Sequence, residues 1–170
     1  MGVGGESMIE KLFKDSIMAR FAEIKKQGDG TIAQLSIEEM QWIPNTESNS
    51  IAILIKHICG NIHSRSTDFL TTDGEKSSRN RDDEFVDNSS LKEQLIVSWE
   101  KAWTLLFETV DQLSLEDFEK KVLLKGKEIS VTEALHRQLA HYATHVGQMM
   151  YIGKQIKKEQ WKTLSIPKKV

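Results

Sequence analysis

Two histidines four residues apart, in His141-Tyr142-Ala143-Thr144-His145, are the residues of this chain best placed to do chemistry. On an α-helix each residue turns the chain by about 100°, so side chains four apart lie about 40° from one another and both imidazoles can reach one ion. The same projection sets Ala134 and Ile152 in their stripe, with Val131, Tyr142 and Met149 just beyond, so the pair borders an apolar face. An imidazole among apolar groups is costly unless something takes its lone pair, and a metal cation does so. Tyr142 stands where the HExxH metalloprotease pattern needs its glutamate base, which argues against peptide hydrolysis by that route.

A third histidine, His57, lies on the flank of an earlier apolar helix, near Leu54. Asn61 and Arg65 follow it about 40° and 80° around the same helix, as candidate supporting or substrate-contacting residues. Three histidines from two helices, with coordination positions left open, match the ligand count of catalytic zinc sites and also suit nickel or iron. Gln148, about 20° from His141, can orient a ligand or bond across helices. Arg65, Arg79 and Arg81 are candidate anion clamps, because a guanidinium grips a carboxylate with two parallel hydrogen bonds. Arg79 and Arg81 are nevertheless expected to pair with Asp82, Asp83 and Glu84 in a solvated loop. His136 projects about 140° from His141 and is excluded as a ligand, and His63 is expected in solvent or at an interface. Cys59 lies about 200° from His57 and is read as a small buried hydrophobe. Trp99 and Trp103 are read as core or dimer packing.

These residues need four long helices to carry them. Apolar spacing places helix one from Met8 to about Lys26, stopped by Gln27-Gly28-Asp29-Gly30. Ser36-Ile37-Glu38-Glu39 has capping-box spacing and opens a short helical connector before Pro44. Helix two runs from Asn49 or Ser50 through Phe69 and carries His57. Residues 73–90 form a long charged connection over the surface, of a length that tends to be functional or disordered. Ser89 or Ser90 caps helix three, which ends near Gln112. A short turn at Ser114 follows, and Gly126 fits the bend of a brief hairpin over Lys121 to Ile129. Helix four, from Ser130 to about Ile156, carries the histidine pair. The pattern describes an all-α four-helix bundle with a long loop between helices two and three, in one domain over 1–170 with a flexible N-terminus at 1–7.

Composition narrows the partners. With 39% hydrophobic and 28% charged residues and a formal net charge of −2, the chain has no basic excess for a nucleic acid. Its longest apolar run, Ile51 to Ile55, is far short of the roughly 20 residues that span a bilayer. The lone Cys59 and the absence of a basic then apolar opening point to the reducing cytoplasm.

The run from Ser50 to His57, followed late in the chain by His141-Tyr142-Ala143-Thr144-His145-Val146-Gly147-Gln148, resembles the DinB/YfiT-like superfamily, which has a histidine late in helix two and an HxxxHxGQ signature on the last long helix. The stretch from Gly60 to Phe85 further resembles one branch of that superfamily whose function is not established. The likeness implies a bundle of the DinB type, commonly a homodimer, with a three-histidine site for a divalent ion, zinc or nickel before iron or manganese. Members of the superfamily are metal-dependent thiol transferases acting with low-molecular-weight thiols, and related proteins are described as metal-dependent hydrolases. The resemblance therefore implies a small-molecule substrate. It carries over residue by residue only to His57, His141 and His145.

Overall fold

Three helices of this protein start at serines that take an otherwise unbonded backbone N–H of the first turn. In the computed structural model, which describes residues 8–84 and 91–167, Ser50 Oγ accepts from the Ile53 amide at 3.2 Å and opens α3 (Ile51–Ser66). Ser130 does the same for the Glu133 amide at 3.1 Å and opens α6 (Val131–Lys157). Ser36 and Glu39 form the reciprocal capping box of the short α2 (Ile37–Gln41). The expected flexible segment 1–7 and the expected serine caps at 89 and 90 lie outside the described residues. The third long helix, α5 (Lys92–Gln112), starts at Leu91, whose amide donates to Gln94 Oε1.

α1 (Met8–Ala33) corrects the expected stop near Lys26. The glycines at 28 and 30 do not end the helix. They let neighbours lie against it: a Cβ at Gly28 would overlap the Trp99 ring, and one at Gly30 would crowd Leu164. Asp29 between them accepts a 2.7 Å hydrogen bond from Trp99 Nε1, so the Gly-Asp-Gly segment receives the indole.

The four long helices form a closed circuit in which α1 packs on α5 and α6, and α3 packs on the same two. α3 is central and is buried around most of its circumference, polar His57, Asn61 and Ser64 included. Trp99, Trp103, Phe21 and Tyr142 fill the middle of the core. β1 (Lys121–Leu124) and β2 (Lys127–Ser130) form the expected antiparallel hairpin, with Val122 opposite Ile129 and a turn at Lys125 and Gly126, both at positive φ. The chain is thus all-α apart from this hairpin. Among the described residues no helix is long and apolar enough to cross a membrane.

The connection after α3 departs from the solvated loop expected of it. Asp73 accepts the amides of Glu75, Lys125 and Gly126 at 2.7–2.9 Å, pinning the loop to the hairpin turn. Ser64 on α3 donates to the Gly74 carbonyl and accepts from the Lys76 amide, pinning it to the central helix. The loop then makes the one-turn helix α4 (Arg81–Glu84) directly over α3.

The two kinds of helical glycine should respond oppositely to a methyl group. Gly28→Ala is expected to lose about 1–3 kcal/mol from overpacking against Trp99. Gly147 is exposed in α6 with nothing near its absent Cβ, and Gly147→Ala should gain about 0.5–1 kcal/mol of helix stability. Urea unfolding of both variants checks the contrast.

Candidate metal centre

About two turns into α3, His57 points toward α6, where His141 and His145 stand one turn apart. One ring nitrogen from each of the three histidines lies within 4.8 Å of the others. His57 Nε2 and His141 Nε2 face one another at 3.0 Å, and the three rings meet edge to face. His57 is buried, and the α6 pair is half-buried at the edge of the core, as the helical projection requires.

Each end of the triad has a partner that sets its tautomer. His57 Nδ1 lies 3.0 Å from Glu84 Oε2, and an ionised carboxylate can only accept, so Nδ1 carries the proton and Nε2 offers its lone pair to the centre. His145 Nδ1 donates to Gln148 Oε1 at 2.9 Å, which likewise leaves its Nε2 unprotonated. Burial, with His145 and His57 beside it, holds the His141 pKa down at about 4. Burial, together with His57, lowers that of His145 as well, against the opposing hydrogen bond to Gln148. Three imidazoles whose ring nitrogens converge are the donor set a borderline-soft divalent cation takes, and the residues present fit such an ion.

Behind His57 stands a second layer that the loop delivers. Arg79 grips Glu84 with two parallel bonds, Nε to Oε1 at 2.7 Å and Nη2 to Oε2 at 2.8 Å. Burial alone would raise the Glu84 pKa, but the bonds from Arg79 and His57 outweigh it and hold the carboxylate ionised. The expected pairing of Arg79 with Glu84 forms, but buried, against His57, because Gly60 opens a seat for it. A Cβ at Gly60 would overlap Glu84 Oε1. Arg81, Asp82 and Asp83 stay exposed.

The other sequence candidates have definite places. Asn61 accepts from the Tyr142 hydroxyl at 3.0 Å, and Tyr142 accepts from Gln138 Nε2 at 3.2 Å, a buried chain that ties α3 to α6 next to the triad. Arg65 is on the wall of a cavity of about 280 Å³ that His141 also lines. On the other flank, Gln148 lines a second cavity of about 590 Å³ with Leu54, Thr144 and Tyr151. His136 is exposed against Phe13, and His63 is exposed. Glu84 is the residue that sequence reasoning missed. Its one visible signal was Gly60, a mid-helix glycine three residues after His57, which costs about 1 kcal/mol relative to alanine and so marks a close approach.

Cys59 is buried, and burial pushes its thiol pKa up to about 12. Ellman's reagent at pH 8 should therefore leave the native thiol unreacted and titrate it fully once urea unfolds the chain; rapid reaction of the folded protein would contradict its placement.

None of the curated proteins compared with the chain matches it. Residues 8–170 match the family described as "Protein of unknown function (DUF1572)", which takes in all four long helices and the whole triad, and the chain belongs to that family.

Proposed function

We propose that this protein is a metal-dependent enzyme of the DinB-like superfamily, folded as that superfamily's four-helix bundle, which transfers a low-molecular-weight thiol to an electrophilic small molecule. The observation that carries the reading is the convergence of His57, His141 and His145, with His57 held from behind by Glu84 and Arg79. His57, His141 and His145 hold a divalent ion, zinc or nickel first. Such an ion acts as a Lewis acid and lowers the pKa of a thiol from about 8.5, so that thiolate is present at neutral pH.

The chain's own groups do the rest. Glu84 keeps His57 in the tautomer that donates from Nε2, and Gln148 does the same for His145. Glu84 is not free to act as a base, because it is committed to His57 and Arg79. Cys59 is buried and protonated, so the thiol comes from a co-substrate. The cavity that His141 lines gives a small substrate room beside the triad. In the transfer, sulfur forms the new bond, the leaving group departs with its electron pair, and the thiol proton passes to solvent.

Elemental mass spectrometry of protein purified without a histidine tag should find close to one zinc or nickel per chain, lost when His57, His141 and His145 are all changed to alanine. Native protein that takes up no metal on reconstitution would overturn the reading. With metal established, consumption of an electrophile only when a small thiol is added assigns transfer, and consumption without thiol assigns hydrolysis. Gly60→Ala should unseat Glu84 and weaken metal binding by about 10–100-fold in a chelator competition, with helical content unchanged. Unaltered affinity would show that Glu84 does not support His57.

A further inference from the structure

The cavity that His141 shares carries far more positive than negative charge. Arg65 and Arg79 form its inner wall, Arg81, Lys125 and Arg137 are exposed at its rim, Arg137 with Nε paired to Glu133, and among the described residues Glu75 is the only acidic one that lines it. The two inner guanidiniums are not equivalent. Arg79 commits Nε and Nη2 to Glu84, with Nη1 turned toward Glu75 at 3.5 Å. Arg65 reaches the same Glu75 only at 3.7 Å, and its Nε is buried with no hydrogen-bond partner among the described residues.

A guanidinium left with one long, shared ion pair and an orphaned N–H is costly in a half-buried setting. The wall therefore presents an unmet donor as well as charge. An oxyanion answers the Arg65 deficit, since the fork of a guanidinium matches the two oxygens of a carboxylate or phosphate. The rim cations add a field that draws anions in. A volume near 280 Å³ is just below the roughly 300 Å³ at which drug-sized ligand pockets begin, and so suits a small metabolite.

We propose that this cavity is an oxyanion subsite in which Arg65, assisted by Arg137, holds the carboxylate or phosphate group of a small anionic substrate against the triad. Calling the ligand a substrate rests on the metal-centre reading above; the anion site itself does not, and it is measured without metal.

The experiment is a two-dimensional ¹H–¹⁵N NMR titration of the metal-free full chain with succinate, inorganic phosphate and, as the uncharged control, succinamide. Saturable shifts are expected at residues 61–65 and 137–141 with at least one anion and not with succinamide, weakening as salt rises. Succinate alone would assign a carboxylate ligand, phosphate alone a phosphoryl ligand, and both a site that reads charge and not geometry. Arg65→Gln should raise the dissociation constant at least tenfold. Arg137→Gln, on the exposed rim where folding is not at stake, should raise it two- to fivefold. The proposal is overturned if neither anion shifts these residues, or if both variants bind as the native chain does. A native chain that binds anion but no metal would keep the subsite and remove the metal centre, and the reverse result would do the opposite.

Discussion

A carboxylate taken out of water must be given hydrogen bonds and a counter-charge, and Glu84 receives both from Arg79 and His57. Much of the structure around the triad follows from that requirement. Residue 60 must lack a side chain for the carboxylate to reach α3. Residues 73–84 must follow a fixed path to bring Arg79 and Glu84 to the same place, and Asp73 and Ser64 fix it by bonding to the hairpin turn and to α3. The result is a histidine whose ring cannot rotate without breaking a buried, charge-assisted bond.

The hairpin, small as it is, belongs to this arrangement. Its turn needs two residues at positive φ, which Lys125 and Gly126 supply, and their amides are then free to meet Asp73. Lys125 also stands at the rim of the basic cavity. One carboxylate thus connects the edge where a ligand enters to the segment that supports His57.

Much of this was legible in the sequence because it is local. The i, i+4 spacing of His141 and His145 fixed their common face, apolar periodicity placed all four long helices, and Ser50 and Ser130 marked two of their starts. What depended on contacts distant in sequence was misread. Gly28 and Gly30 read as a helix stop because the Trp99 indole that occupies their place comes from another helix. Residues 73–84 read as solvated because charge density along a chain says nothing of which charges are paired in the interior. Gly60 held the missing information, since a glycine at the centre of a helix implies that another group comes close. It did not say which.

The separation of the donors along the chain has a consequence for how the protein folds. His141 and His145 are neighbours as soon as α6 forms, whereas His57, 84 positions before His141, joins them only after α3 has docked on α6 and the Glu84 segment has been laid down. Contacts of such separation close late, after the loop entropy between them has been lost. An unfolded chain therefore offers a cation only a weak pair of ligands, and the full donor set exists in the native state alone. Any ion the triad holds acts as a ligand of the finished fold, shifting the unfolding equilibrium in proportion to the logarithm of its free concentration instead of guiding the chain toward it.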